Sequence, residues 1–186
     1  MPASADRLTS PPNLLSLSRL PLAAGVFAAV TYQRWGLALT VFAVAAATDT
    51  LDGWLARRLK LVSAVGRALD PLTDKVLLCG SFVYLLAVPA AGLSEWVVTV
   101  LVARELLVTG LRGMAEATGV LFPADRWGKL KTTLQCGWVV AVLGRLCVGD
   151  ESAAGWWGQA TLLWAMVGLT VGSGLNYFVK AVRALR

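Results

Sequence analysis

Six apolar runs, at about 14–33, 36–56, 68–91, 94–115, 130–149 and 156–179, divide this 186-residue chain, and each is long enough to cross a bilayer as a helix. At ~20 residues per span they take up roughly 120 positions and leave only short connections, with no room for a soluble domain. Backbone in hydrocarbon must satisfy its own hydrogen bonds, which restricts spanning segments to helices or closed barrels, and runs of this length select helices. The predicted architecture is therefore an all-α integral membrane protein of six transmembrane helices, one domain over residues 1–186 with a short leader, 1–13. Composition agrees: 57% of residues are hydrophobic and 15% charged, against ~25% charged in an ordinary soluble domain. Arg19 and Pro21 interrupt the first run and further spans follow at once, so it is expected to stay on the chain rather than serve as a cleaved signal peptide.

Charge sets the orientation. Arg7, Arg57, Arg58, Lys60, Arg67, Arg126, Lys129, Lys131, Lys180, Arg183 and Arg186 fall on one side of the six spans, and only Arg34 and Arg145 on the other. The positive-inside rule then places both termini and the second and fourth loops in the cytoplasm. The excess of 17 Lys+Arg over 11 Asp+Glu suits anionic lipid, so no nucleic acid is expected as a partner. The eight Trp residues sit mostly near run ends, as in an interfacial belt.

The chain has no histidine, which excludes Ser-His-Asp hydrolysis, His-ligated zinc and axial-His haem. Cys79, Cys136 and Cys147 lie scattered in apolar runs without C-x-x-C spacing and read as core fillers. Chemistry is left to carboxylates, Lys and Arg.

Four of the eleven acidic residues, Asp49, Asp52, Asp70 and Asp74, fall within 26 positions at the end of the second run and the start of the third. Asp49 and Asp52 are i, i+3 and Asp70 and Asp74 are i, i+4, so each pair shares a helix face. Two carboxylates ~6 Å apart repel by about 3 kcal/mol at an effective dielectric near 20. Hard divalent cations relieve that repulsion, and an all-oxygen set without His or Cys favours Mg²⁺, Mn²⁺ or Ca²⁺, two ions being the natural count. Gly53, Ala56 and Gly66 are small enough to admit a backbone or ligand, and Arg57 can neutralise a phosphate. The plainer alternative pairs the acids with Arg57, Arg58, Arg67 and Lys75 as structural salt bridges.

The series Asp49-x-x-Asp52-Gly53-x-x-Ala56-Arg57, eight residues to Gly66, three to Asp70 and three to Asp74 resembles the full signature of the CDP-alcohol phosphotransferase family, with no position departing from it. The resemblance implies the six-helix fold of that family and transfer of a phosphatidyl or related group from a CDP-linked donor to an alcohol, with release of CMP, usually by a homodimer. It implies two divalent cations, Mg²⁺ or Mn²⁺, held by the four Asp, Asp74 as the base, and the donor nucleotide beside Asp52, Gly53, Ala56, Arg57 and Gly66.

A second set is similar to the bacterial phosphatidylglycerophosphate synthase branch of the family. It comprises Val102-Ala103-Arg104-Glu105-Leu106, Leu111-Arg112-Gly113-Met114-Ala115-Glu116, Gly128-Lys129-Leu130-Lys131-Thr132-Thr133-x-Gln135, Pro12-Asn13-Leu14-Leu15 with Arg19, and Ser173-Gly174-x-Asn176-Tyr177, where Asn176 stands in place of an expected Asp. Arg104 and Arg112, eight residues apart, lie about 80° apart round a helix and can face one cavity. With Lys129 and Lys131 they are the candidates for binding an acceptor phosphate. Gly128-Lys129 lacks the preceding Gly of a P-loop and opens a membrane span, so that reading is set aside. The expected reaction takes CDP-diacylglycerol and sn-glycerol 3-phosphate to phosphatidylglycerophosphate and CMP at the cytoplasmic face of a bacterial inner membrane. Other acceptors (inositol phosphate, serine, phosphatidylglycerol), a small cation transporter and a non-catalytic membrane interaction protein are the alternatives.

Overall fold

Membrane-length apolar runs joined by connections of at most about 14 residues reverse direction at every connection. A computed structural model describes the backbone of residues 11–59, 64–117 and 126–184 and the side chains of residues 17–48, 72–114 and 128–179. Among the described residues the architecture is all-α and six-helical, without a strand: α1 (Pro11–Thr31), α2 (Trp35–Leu59), α3 (Ala64–Leu86), α4 (Glu95–Ala117), α5 (Arg126–Val148) and α6 (Ala153–Ala184). Helix α1 packs on α2 and α3, α2 on α5, α3 on α4 and α5, and α6 on α4 and α5.

The apolar runs locate the helices but not their ends. The third run was expected to reach 91, whereas α3 stops at Leu86 and the chain makes a 3-10 turn, Pro89–Ala91, closed by Gly92 at φ 63°. Proline cannot continue the helical ladder, and glycine accepts the left-handed φ that ends the turn. At the opposite end the helices outrun the apolar signal, α3 beginning at Ala64 and α6 continuing to Ala184. Helix α1 continues through Pro21.

All six helices send large side chains into the centre, among them Val26, Phe42, Phe82, Leu101, Trp138 and Met166. Trp138 of α5 is fully buried and its ring stacks on Phe82 of α3 with centroids 5.5 Å apart, so this Trp belongs to the core and not to an interfacial belt. Trp96, Trp156 and Trp157, near the starts of α4 and α6, are exposed as a belt requires. Phe27 of α1 lies parallel to Tyr84 of α3, 4.7 Å between centroids, and Gly80 leaves space for it: a Cβ there would stand 2.1 Å from Phe27 Cζ. Cys79 and Cys136 are partly buried, whereas Cys147 is exposed and fills no core position; none forms a disulfide.

The outer surface carries Leu37, Leu106, Leu107, Trp164, Leu175 and Phe178, all exposed. So much large apolar surface is costly against water and suited to lipid. Among the described residues one helix, Ala153–Val179 with mean hydropathy 1.4, is long and apolar enough to cross a membrane by composition alone; the apolar helices Leu17–Thr31 and Trp35–Thr48 are shorter. Helices α3, α4 and α5 carry charged residues within or beside their apolar runs: Asp74 and Lys75, Arg104, Glu105 and Arg112, and Lys129 and Lys131.

One end of the bundle is tied by Arg145, one of the two basic residues assigned outside the cytoplasm. Its Nε donates to Gln159 Oε1 at 2.7 Å, Nη1 to the Asp150 carbonyl at 2.9 Å, and Nη2 to the Ala90 carbonyl. Gln159 Nε2 in turn donates to the Ala91 carbonyl at 2.6 Å. A single guanidinium thus joins the α3–α4 and α5–α6 connections. In the latter, the backbone N–H of Ser152 donates to Asp150 Oδ1 at 2.9 Å, and hydrogen bonding by Ser152 holds the Asp150 carboxyl below its ordinary range.

Candidate functional site

At the other end, α1, α3 and α5 contribute their N-terminal halves and α2, α4 and α6 their C-terminal halves. Asp49, Asp52, Gly53, Ala56 and Arg57 lie on α2, and Gly66 and Asp70 on α3; the side chains of these seven lie outside the described residues. Asp74, two turns into α3, is half-buried. Immediately before it, buried Thr73 accepts a long hydrogen bond, 3.5 Å, on Oγ1 from Nη1 of Arg19, itself 1% exposed. The residue that broke the first apolar run therefore reaches α3 at the edge of the Asp series.

Asp74, Lys75, Arg104, Arg112 and Lys131 come near enough to interact electrostatically. Arg104 Nη2 donates to Ser173 Oγ on α6 at 2.8 Å, and Arg112 Nη2 donates to the Tyr177 hydroxyl at 2.8 Å. Both guanidinium groups also stand over the Tyr177 ring, at 5.9 and 5.5 Å from its centroid. The spacing that put the two arginines about 80° apart thus matches a geometry in which both meet one aromatic ring.

Lys131 and Lys129 part company. Two residues apart, they point about 200° from one another round α5. Lys131 is 1% exposed and its ammonium meets Glu105 Oε1, whereas Lys129 is exposed. Glu105 also lies 3.4 Å from Arg104 Nη1, so this carboxylate, 8% exposed, ties α4 to α5 between two cations. Arg104 thus meets Glu105 on its own helix and Ser173 on α6 at the same time.

Lys75, Arg104, Arg112 and Lys131 supply four positive charges against Asp74 and Glu105 among the described residues. The buried Nε atoms of Arg104 and Arg112 have no hydrogen-bond partner among those residues. A buried donor left unpaired costs about 1–3 kcal/mol, so the two arginines present donors that an anion would satisfy. Glu105, Ser173 and Tyr177 stand in the branch-like set, and among the three the sequence suggests a role only for Glu105, as a partner of Arg104; a further signal is a polar group inside an apolar run.

A family model described as CDP-alcohol phosphatidyltransferase matches residues 9–172. A CDP-diacylglycerol–glycerol-3-phosphate 3-phosphatidyltransferase of Bacillus subtilis is 38% identical over 147 aligned residues, covering 78% of this chain and 74% of its own. The protein of that name from Cereibacter sphaeroides is 32% identical over 216, covering 94% and 96%. Form 1 from Arabidopsis thaliana, chloroplastic/mitochondrial, is 33% identical over 193, covering 94% and 63%.

Proposed function

The chain belongs to the CDP-alcohol phosphatidyltransferase family, and from that premise we propose that it transfers the phosphatidyl group of CDP-diacylglycerol to sn-glycerol 3-phosphate, forming phosphatidylglycerophosphate and CMP. It is a transferase of phospholipid synthesis, like the relatives that carry that name. The observation that carries the choice of acceptor is the Arg104–Arg112 pair. Two guanidinium groups on one ring, each with an unused buried Nε–H, suit the dianionic phosphate of a glycerol phosphate.

The acceptor hydroxyl oxygen attacks the phosphatidyl phosphorus, the bond from that phosphorus to CMP breaks, and CMP departs with the bonding pair. In this reading Asp74 takes the hydroxyl proton, the only kind of base a chain without histidine offers at this position. Asp52, Gly53, Ala56, Arg57 and Gly66 receive the donor nucleotide, small residues leaving room and Arg57 meeting phosphate charge. Arg104, Arg112 and Lys131 form the acceptor side, with Lys131 held by Glu105, whereas Lys129 is exposed on the opposite face of α5 and stands apart from it.

The family depends on divalent cations. The donor set fits such ions, being four carboxylates with neither His nor Cys among them. Asp49, Asp52, Asp70 and Asp74 would hold two ions, Mg²⁺ or Mn²⁺, which when bound supply charge neutralisation at the pyrophosphate and the leaving group.

The enzyme is membrane-embedded, and the apolar outer surface supports that placement. Our reading further takes residues 1–186 as one domain, of six spans, with both termini and the site on the cytoplasmic side of a bacterial inner membrane, working as a homodimer. The test is CMP release by detergent-purified protein given CDP-diacylglycerol, Mg²⁺ or Mn²⁺ and each acceptor singly, with a chelator control. Release that needs both metal and glycerol 3-phosphate is the expected result. Release with inositol phosphate, serine or phosphatidylglycerol instead would overturn the choice of acceptor, and no release with any would overturn the reaction.

A further inference from the structure

Three residues of one α6 face, Ser173, Gly174 and Tyr177, meet the two arginines at three different points. Ser173 Oγ accepts from Arg104 Nη2 at 2.8 Å and donates to the Thr170 carbonyl at 3.1 Å, which fixes the direction of its hydroxyl. Gly174 is where the Arg104 stem lies against α6: a Cβ there would stand 3.1 Å from Arg104 Cγ and 3.8 Å from its Nε. Tyr177 accepts from Arg112 Nη2 at 2.8 Å and spreads its ring beneath both guanidinium groups. A serine and a tyrosine at i, i+4 share a helix face, and the glycine beside the serine removes the one side chain that would press on Arg104.

We propose that this face of α6 is a cradle that sets the separation and tilt of Arg104 and Arg112, and so determines how well the enzyme holds a phosphorylated acceptor. The inference rests on the acceptor reading above. Arginine side chains carry ~2 kcal/mol of rotamer entropy, and two of them brought to one phosphate lose it unless their forks are held beforehand. Ser173 and Tyr177 hold one Nη of each, leaving both Nε–H groups for the ligand. Ser173, Gly174 and Tyr177 are thus positioning residues: they act on the acceptor through the arginines.

The test measures KM for glycerol 3-phosphate and for CDP-diacylglycerol in Tyr177→Phe, Ser173→Ala and Gly174→Ala, with thermal melts of each. Tyr177→Phe keeps the ring and loses only the hydroxyl. It should raise the acceptor KM about tenfold, the equivalent of about 1.4 kcal/mol, with the donor KM within about twofold and the melt unmoved. In an Arg112→Ala background the same change should add less than about twofold, because the group it acts through is gone. Gly174→Ala should raise the acceptor KM without needing Arg112. An unchanged acceptor KM in all three variants, equal effects on both substrates, or full additivity of Tyr177→Phe with Arg112→Ala would overturn the cradle. Wild-type turnover only with an unphosphorylated acceptor would overturn the cradle and the acceptor reading together. A variant failure beside normal wild-type use of glycerol 3-phosphate would overturn the cradle alone.

Discussion

Lys131 and Glu105 form an ion pair that the bundle almost wholly encloses, the lysine at 1% and the glutamate at 8% exposure. Removing one member of such a pair strands the other charge and costs about 3–5 kcal/mol, whereas replacing both by neutral groups is often tolerated. Glu105 also meets Arg104, so the member whose loss strands a charge is the glutamate. Glu105→Gln is therefore expected to lower the melting temperature sharply, and adding Lys131→Met to restore most of it; a double variant as unstable as the single would refute the pairing argument. Asp74 makes a different prediction, because its proposed role is chemical. Asp74→Asn should abolish CMP release while CDP-diacylglycerol still binds in the presence of metal, measured by retention of labelled donor. Near-normal turnover would remove Asp74 as the base.

At the scale of elements, the approach of α1 to α3 depends on a single missing side chain. Phe27 occupies the place where a Gly80 Cβ would be, and its ring stacks on Tyr84. Gly80→Ala must displace a stacked ring, and overpacking of this kind costs about 1–3 kcal/mol. Gly25 on α1 supplies the control, because a Cβ there would meet only Val41 Cγ1 at 3.6 Å, an ordinary contact. Gly25→Ala should leave stability unchanged or raise it by up to about 1 kcal/mol through helix propensity. Thermal melts of the two variants in the same detergent compare them directly, and equal destabilisation would refute the close-packing account.

Across the whole molecule the two ends are built for different work. The Asp74–Arg104–Arg112 end gathers charge, and the Arg145 end spends its one guanidinium on loop carbonyls and Gln159. That accounts for a basic residue at the end of the bundle where the charge pattern leaves only Arg34 besides. Arg145→Ala should lower stability by about 2–4 kcal/mol, given hydrogen bonds to a charged donor worth about 1.5–3 kcal/mol each. Both substrate KM values should stay within about twofold of wild type. A changed KM with an unchanged melt would show that the connections at this end communicate with the site.

Hydrophobic run length determined the six helices, because a membrane-length apolar segment has one economical backbone solution. Spacing determined the carboxylate series and brought Arg104 and Arg112 onto neighbouring faces of α4, since helical periodicity is a local property. Tertiary structure decided what local patterns do not encode: that Tyr177, 65 residues beyond Arg112, lies under both arginines, that Lys131 is spoken for by Glu105, and that Trp138 is core. It also decided that Gly80 is a seat for Phe27, 53 positions earlier in the chain. These depend on which helices become neighbours and in what rotation about their axes. That choice is settled by packing all six together, not by the sequence of any one.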